Sequence, residues 1–399
     1  MLLISLMHPY LPLKAQDRYA FPDKLDSAAV MSIVVASPIE DEVYTVYGHA
    51  GFRVNDPVQH IDVIFNYGIF AFNSDFTVRF IKGKTDYAVV PIEASYYMNE
   101  YLGRGSDVTE LVLNMSAIEK QKAWEYLLWN IRPENSVYRY NFFYDNCSTR
   151  PVSIFSESCG GHLKFPNIKT VTWRYLINRA ERNKPWMVLG TDLALGSKTD
   201  ASASVQEQLF LPSKIIEYLP QASLVYKNGD TKPAVLSVRK MPYIIPAQPY
   251  TYGAFLSFLI HPLTVFSLLL VITFVISLMA WRRRKLYRIY DCIIFACAGL
   301  AGLLLFYLAF ISEHPFTSPN YNLVVLHPLH LLLGVPLMLF KRLKKWGYYY
   351  HFVNFVVLSL FALLAIFLPQ NFNAAMILVG GTLWIISVKW LMIQRKQDK

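Results

Sequence analysis

The chain has 399 residues, of which 54% are hydrophobic and only 17% are charged. Soluble proteins carry about 25% charged residues, so this composition excludes a fully soluble enzyme and a disordered chain. The formal charge of +10 would suit a nucleic-acid binder, but many bases lie in three short runs that each end an apolar stretch: Arg282–Arg288, Lys341–Lys345 and Arg395–Lys399. Such runs are typical of cytoplasmic loops of membrane proteins, which excludes nucleic acid as the partner.

Residues 1–16 have the features of a short signal segment. Met1–Met7 is apolar, and the small and polar residues Lys14-Ala15-Gln16 precede Asp17. The segment has no basic start, and two prolines interrupt it. We expect it to direct export of the residues that follow; the alternative is an apolar tail without that role.

Residues 17–245 predict one α+β domain. Ser116 and Glu119 have the spacing of a capping box, which starts a helix that ends before Pro133. Pro151 is tolerated only in the first turn of a helix, so a second helix begins at about residue 147 or later. The predicted strands are Ala28–Ala36, Val43–Val54, Ile61–Phe70, Tyr87–Ile92, Thr109–Leu113 and Tyr138–Tyr144.

A linker at residues 246–255 leads to an all-α membrane domain at residues 256–395. A helical span needs about 20 apolar residues. Five segments qualify: 256–280, 289–311, 322–340, 350–368 and 374–393.

The three basic runs follow the first, third and fifth spans, so alternation places them on one side, which is cytoplasmic. The N-terminal domain and the polar loop Ser312–Asn322 then lie in the periplasm. His327 and His330, three residues apart on one helical face, are functional candidates inside a membrane or simply hydrogen-bond neighbouring helices. Two ligands do not make a metal site, and we expect none.

Two of the four cysteines, Cys147 and Cys159, lie in the exported domain. They are consistent with a structural disulfide, which an oxidising compartment allows. Alternatively, Cys147 is a nucleophile, because a helix N-terminus lowers the pKa of a thiol, and Arg150 would add positive charge. A nucleophilic thiol also needs a base, normally a His held by a third polar group.

His49, in Tyr47-Gly48-His49-Ala50-Gly51, is the candidate base. If the strands around Asn55–His60 form a hairpin, we predict that Arg53 faces Asp62 and that His49 faces Asn66. All four side chains would then share one face of the hairpin, and Asn66 would hold the His49 ring.

The motifs Tyr47-Gly48-His49-Ala50, Phe65-Asn66-Tyr67-Gly68 and Asn141–Arg150 occur in the order found in a known family. With the outer loop from Glu313, they resemble the Lnb-type lipoprotein N-acyltransferases of Bacteroidota. The order of His before Cys also resembles permuted papain-like folds of the NlpC/P60 and lecithin-retinol-acyltransferase kind. The resemblance implies Cys147 as nucleophile and His49 as base, and we infer Asn66 as the third member.

The resemblance implies acyl transfer from a phospholipid to a diacylglyceryl-cysteine lipoprotein, without a cofactor. Asn146, or backbone amides near the start of the helix, is then a candidate for oxyanion stabilisation. His314, Asn320 and Asn322 are candidates for binding the lipid headgroup, the alternative being that they belong to a plain surface loop. Two alternatives remain. One is a papain-like hydrolase of cell-wall peptides, and the other is a membrane-anchored binding or sensor protein with a Cys147–Cys159 disulfide.

Overall fold

The computed structural model describes residues 21–39, 45–70, 75–244, 246 and 253–397. The expected signal segment 1–16 lies outside these residues, as does most of the linker 246–255. The chain divides into two compact units. The first unit comprises 1–171 and 203–250, and the second comprises 172–202 and 251–399. Residues 172–202, which the sequence assigned to the N-terminal domain, thus group with the apolar C-terminal segment.

The elements are numbered along the chain. The strands are β1 Val30–Ala36, β2 His49–Asp56, β3 Ile61–Ile69, β4 Asp86–Glu93, β5 Val108–Leu113, β6 Val137–Arg139, β7 Gly161–Lys164, β8 Val171–Thr172, β9 Ser202–Ala203, β10 Ser223–Tyr226, β11 Thr231–Pro233 and β12 Val235–Met241. The helices are α1 Phe76–Ile81, α2 Ala94–Gly103, α3 Ala117–Asn130, α4 Thr149–Cys159, α5 Trp173–Ala180, α6 Pro185–Ala194, α7 Val205–Gln208, α8 Pro212–Tyr218, α9 Ala254–Leu259, α10 Pro262–Arg282, α11 Arg288–Phe310, α12 Val335–Leu339, α13 Lys344–Leu364 and α14 Ala374–Gln397.

The first unit is built on a seven-stranded sheet in the order β12-β5-β1-β2-β3-β4-β6, in which every neighbouring pair is antiparallel. The five strands predicted before residue 114 all form, with β2 starting at His49 rather than at Val43. A mixture of strands and helices was predicted for this part of the chain and is confirmed.

The predicted hairpin forms, but its predicted register is wrong by two residues. Arg53 pairs with Ile64 and Asn66 pairs with Gly51. Buried Asp56 accepts hydrogen bonds from the backbone N–H groups of Val58 and Gln59 and thereby sets the turn. Because side chains alternate with a period of two, a shift of two keeps the same side chains on the same face. The predicted contacts, Arg53 with Asp62 and His49 with Asn66, therefore form between diagonal positions of the two strands and not between directly opposite ones.

Two helices cover the sheet beside the hairpin. The predicted capping box is confirmed, since the Ser116 side chain accepts from the Glu119 N–H and the Glu119 carboxylate accepts from the Ser116 N–H. It starts α3, whose Trp124 packs edge-on against Phe65 of β3 at 6.0 Å between ring centroids. Phe155 of α4 is fully buried in the same core, so α4 is held against the sheet.

The predicted strand Tyr138–Tyr144 is wrong in its second half. Only Val137–Arg139 forms a strand. The Asn141 side-chain oxygen then accepts from the N–H groups of Phe143 and Tyr144, each at 3.1 Å. An Asn that bonds the backbone ahead of it favours a turn, and this turn leads into α4. The predicted start of that helix at residue 147 or later is confirmed.

The second unit contains four helices long and apolar enough to cross a membrane among the residues described: Pro262–Arg282, Arg288–Phe310, Lys341–Phe367 and Ala374–Gln394. Five long helices were predicted. The third, at 322–340, is replaced by three short helical pieces, Tyr321–Val324, His330–Gly334 and Val335–Leu339. Pro328 and Pro336 each lack a backbone N–H donor, which opposes a regular helix there.

The irregular segment 321–340 nevertheless follows α11 closely. An added Cβ at Gly302 would lie 2.6 Å from the His327 carbonyl carbon, and one at Gly299 would lie 2.4 Å from the Leu331 nitrogen. Small residues allow such close backbone approach between membrane segments. Farther along, Arg288 Nη1 donates to the Met338 carbonyl at 3.2 Å. The segment 321–340 therefore runs antiparallel to α11, from Gly302 back to Arg288, which is the first residue of α11.

Candidate active site

Three elements of the first unit bring Cys147, His49 and Asn66 together. His49 is the first residue of β2, and Asn66 lies in the neighbouring β3. Cys147 follows the Asn141 turn and lies two residues before α4. His49 and Cys147 are both half-buried, whereas Asn66 is buried. A thiol and an imidazole thus meet in a part of the first unit where both residues keep partial exposure.

Asn66 fixes the orientation of the His49 ring. His49 Nε2 lies 2.8 Å from Asn66 Oδ1. Since an amide oxygen only accepts hydrogen bonds, Nε2 carries a proton and donates it. The same oxygen accepts from the Gly68 N–H at 2.9 Å, which holds the amide in this orientation. The second ring nitrogen of His49 remains for the thiol.

The Cys147 thiol and the His49 ring lie close enough to shift each other's pKa. Burial alone raises the pKa of this thiol, but the charge and hydrogen bond of His49, with the Ala50 N–H, lower it below its ordinary value. Burial lowers the pKa of His49, but the charge and hydrogen bond of Cys147 and the bond to Asn66 raise it. Both shifts favour a thiolate–imidazolium pair, which is the reactive form of a nucleophilic cysteine.

Cys159 lies at the opposite end of α4 and differs from Cys147 in its burial and in the direction of its pKa shift. It is buried, and burial raises the pKa of its thiol to about 12. Both Cys147 and Cys159 are free thiols. A helix of 11 residues is about 16 Å long, whereas a disulfide needs Cα atoms within about 7 Å. The alternative of a Cys147–Cys159 disulfide is therefore wrong.

Sequence reasoning missed three residues that surround the His49 ring. A Cβ on Gly68 would lie 2.3 Å from His49 Cε1, so only glycine leaves room for the ring. On the other side, the Tyr101 ring stacks on His49 at 5.9 Å and the Tyr97 ring lies at 6.1 Å. Gly68 lies within the quoted Asn66-Tyr67-Gly68 motif, so its spacing could have indicated it. Nothing in the sequence of α2 pointed to the two tyrosines.

Asn146, the oxyanion candidate, and Arg150, which was expected to add positive charge beside the thiol, are engaged in the loop before α4. Asn146 is buried, and its amide nitrogen donates to the Phe142 and Phe210 carbonyls while its oxygen accepts from two N–H groups at the start of α4. Arg150 makes a bidentate pair with Asp145 and lies 3.6 Å above the Tyr138 ring. Both side chains therefore shape the loop that carries Cys147.

In the second unit, Asn320 and Asn322 are buried and bind the end of α6. Asn320 Nδ2 donates to the Leu193 carbonyl at 2.7 Å, and Asn322 Nδ2 donates to the Asp192 carbonyl at 3.0 Å. Carbonyls at a helix C-terminus have no partner within the helix, and these amides satisfy them. The two asparagines thus attach α6 to the loop, in which His314 is half-buried.

His327 and His330 stack with 3.7 Å between ring centroids. His330 uses both ring nitrogens, at 2.7 Å from the Tyr350 hydroxyl and 2.9 Å from the Val325 carbonyl. Within the described part of the chain, no group of three or more His, Cys, Asp or Glu residues is placed to hold a metal ion. For His330, the alternative of hydrogen bonds to neighbouring segments is the one observed.

Comparison with known proteins gives two family matches. Residues 17–179 match the family model of the Lnb N-terminal periplasmic domain, and residues 254–398 match that of the Lnb transmembrane domain. No curated protein and no solved structure matches the chain. Together with the four apolar helices, these matches describe a multi-pass inner-membrane protein with a periplasmic N-terminal domain.

Proposed function

Since the chain belongs to the Lnb family, we propose that it transfers an acyl chain from a phospholipid to a diacylglyceryl-cysteine lipoprotein. The acceptor is the α-amine at the lipoprotein's N-terminus, and the intermediate is a thioester on Cys147. One observation carries the proposal: a half-buried thiol paired with His49, which Asn66 orients, in a chain with four apolar helices. Donor and acceptor both reside in a bilayer.

In the first step, the Cys147 thiolate attacks the carbonyl carbon of a phospholipid ester. The tetrahedral intermediate then collapses and the bond to the glycerol oxygen breaks. His49, as imidazolium, gives its proton to that oxygen, so lysophospholipid leaves and the acyl chain remains as a thioester. General acid catalysis of this kind contributes about 10²–10⁴-fold to the rate.

In the second step, the lipoprotein amine attacks the thioester carbonyl. His49, now neutral, accepts a proton from the amine, and the carbon–sulfur bond breaks to regenerate the thiolate. The product is an amide. Forming a thioester first divides one difficult reaction into two easier ones.

The remaining groups hold the reacting side chains in place. Asn66 keeps Nε2 of His49 engaged so that the other ring nitrogen serves the thiol. A cysteine that precedes a helix packed on a sheet carrying the histidine is the arrangement of permuted papain-like enzymes, and we assign the first unit to that class. Asn146, Asn320 and Asn322 are not assigned to substrate, because their amide nitrogens already donate to backbone carbonyls.

The test is mass spectrometry of a lipoprotein's N-terminal peptide after incubation with phospholipid and the purified chain. The wild type should add one acyl chain to the α-amine. Cys147→Ser replaces the ionised thiol with a hydroxyl, and His49→Ala removes the base, so both variants should give no N-acyl product. Cys159→Ala is the matched control and should retain activity.

Two outcomes would contradict the proposal. Full activity of Cys147→Ser would end the thioester mechanism. Release of free fatty acid, or cleavage of cell-wall peptide, by the wild type without any N-acylated peptide would instead favour the hydrolase alternative, in which water replaces the amine.

A further inference from the structure

A groove lies in the second unit, at the C-terminal end of α11. Its volume is about 290 Å³, close to the lower limit of about 300 Å³ for pockets that bind small molecules. Phe306 and Phe310 of α11 form one wall, and residues between 318 and 328 form the other. Of the described residues that line the groove, none is Asp, Glu, Lys or Arg. The lining therefore favours an apolar ligand.

The groove forms because segment 321–340 diverges from α11 beyond Gly302. At Gly302 the segment touches the helix, since an added Cβ would lie 2.6 Å from the His327 carbonyl carbon. Small residues permit such contact between membrane segments. One and two turns farther along the helix are Phe306 and Phe310, whose ring centroids lie 4.9 Å apart, and rings of this size keep the segment at a distance. The groove therefore narrows toward Gly302 and His327.

The groove opens beside a face of α11 that contacts lipid. Phe306 and Phe310 are 42% and 65% exposed, and Leu300 and Leu304 are 57% and 51% exposed. The helix Arg288–Phe310 is long and apolar enough to cross a membrane, so these exposed side chains lie in hydrocarbon. Since the hydrocarbon region contains no water, lipid acyl chains are the molecules that reach the groove from this side.

The polarity of the groove changes along its length as it does within one leaflet of a bilayer. At the loop end, the lining includes Ser318 and Tyr321, and the Tyr321 N–H donates to Gln370 Oε1 at 2.9 Å. Toward the narrow end, the lining includes the apolar side chains of Phe306 and Leu323. A lipid ester and the hydrocarbon chain attached to it have the same order of polarity.

We propose that the groove binds one acyl chain of a phospholipid in the periplasmic leaflet. The ester end lies at Ser318 and Tyr321, and the methyl end points toward Gly302. The leaflet follows from the bases Arg282–Arg288, which lie at the other end of α11 and mark its cytoplasmic side. The occupant is a phospholipid because phospholipid surrounds a membrane helix at this depth. Its role as the acyl donor rests on the proposed function, since it assumes that Cys147 accepts an acyl group.

Photocrosslinking in nanodiscs measures whether a phospholipid occupies the groove. The full chain is embedded in phosphatidylethanolamine that carries a diazirine in one acyl chain, and mass spectrometry locates the adducts after irradiation. We expect adducts on Phe306 and Tyr321. Leu323→Trp fills the groove and should lower these adducts, relative to those on α13, about tenfold, as for lost contact with about two methylenes. Leu268→Trp is the matched control, because Leu268 is 51% exposed and lies on α10, and it should leave the ratio unchanged.

Phe310→Ala is a second variant that spares the core, because Phe310 is 65% exposed. It removes part of one wall of the groove and should also lower the adduct ratio. An unchanged ratio in Phe310→Ala, or in a Leu323→Trp protein that melts at the wild-type temperature, would overturn the groove as a lipid site.

The donor role is measured by thioester formation on Cys147, from phospholipid and from p-nitrophenyl acetate. With the small soluble ester, the thiolate attacks the carbonyl carbon and p-nitrophenolate leaves, so the groove is not needed. Leu323→Trp should raise the phospholipid content that gives half the maximal rate about tenfold and leave the rate with the small ester unchanged. Equal slowing with both esters, or a shift in the lipoprotein requirement instead, would overturn the phospholipid donor as occupant. If the wild type forms no adduct on Cys147 with either ester, the proposed function itself fails, and the crosslinking result still decides the groove.

Discussion

A buried thiol ordinarily holds its proton tightly, and Cys159 does so. Cys147 departs from this rule because His49 lies beside it, and the thiolate and Asn66 raise the pKa of that imidazole. The folded pKa of Cys147 therefore lies below that of an ordinary thiol, so the thiolate persists to lower pH than it does in a free cysteine.

We expect the pH midpoint of Cys147 alkylation by iodoacetamide in the wild type to lie below that of free cysteine measured under the same conditions. His49→Ala removes the charge that lowers the thiol pKa but leaves the burial that raises it, so the midpoint should move to higher pH. Peptide mass spectrometry distinguishes Cys147 from the other cysteines. The same midpoint in both proteins would show that His49 does not stabilise the thiolate.

Gly68 provides a second test at the level of single residues. Gly68→Ala places a methyl group 2.3 Å from the His49 ring carbon, so the ring must leave its bond to Asn66. We expect acyl transfer to fall at least tenfold while the melting temperature changes little. Gly103→Ala is the control, because an added Cβ there meets nothing within 4 Å. Unimpaired Gly68→Ala would mean that the ring position is not critical.

These residues differ in how far the sequence identifies them. His49, Asn66 and Cys147 occur in short motifs, and a hairpin puts the first two on one face under any register of the right parity. Tyr97 and Tyr101 touch the His49 ring only because α2 folds back over the sheet. That packing is a long-range event, which local patterns do not encode.

At the scale of elements, a polar network joins four strands. Ser32 Oγ and Arg53 Nη1 both donate to Glu110 Oε1, at 2.7 and 2.8 Å. Arg53 also makes a bidentate pair with Asp62. The sequence predicted the Arg53–Asp62 pair but not Glu110, because the order β5-β1-β2-β3 depends on strands far apart in the chain.

Burial decides which of the two acids, Glu110 or Asp62, contributes more to the free energy of unfolding. Glu110 is 4% exposed, whereas the Asp62 side chain is 42% exposed. Glu110→Ala leaves Ser32 unpaired in the core and should cost about 1–3 kcal/mol. Asp62→Ala should cost about 1 kcal/mol or less. Thermal unfolding of the detergent-solubilised variants, with Ser116→Ala as a surface capping reference, would measure this order. A larger loss in Asp62→Ala would contradict it.

At the scale of the whole molecule, composition identified the membrane segments but not their regularity. The apolar run 322–340 satisfied the length criterion for a span, yet two prolines and the close approach to Gly299 and Gly302 make it irregular. Hydropathy counts apolar residues and is insensitive to such packing. For the same reason, hydropathy did not predict that residues 172–202 group with the second unit.

The number of membrane crossings follows from whether segment 321–340 crosses. It runs antiparallel to α11 as far as Arg288, and the bases at Lys341–Lys345 follow it. We therefore expect five crossings, with Arg284 and Arg342 in the cytoplasm and Glu313 in the periplasm. Single cysteines at these three positions, in a chain whose native cysteines are replaced by serine, would be labelled with a membrane-impermeant maleimide on intact spheroplasts.

Position 342 decides the question, because the two topologies differ there. With five crossings, Glu313→Cys is labelled at once, whereas Arg284→Cys and Arg342→Cys are labelled only after permeabilisation. If segment 321–340 instead returns to the periplasmic side without crossing the membrane, Arg342→Cys is labelled together with Glu313→Cys. In that case the bases at Lys341–Lys345 would lie on the periplasmic side, and the N- and C-terminal ends of the membrane domain would lie on the same side of the bilayer.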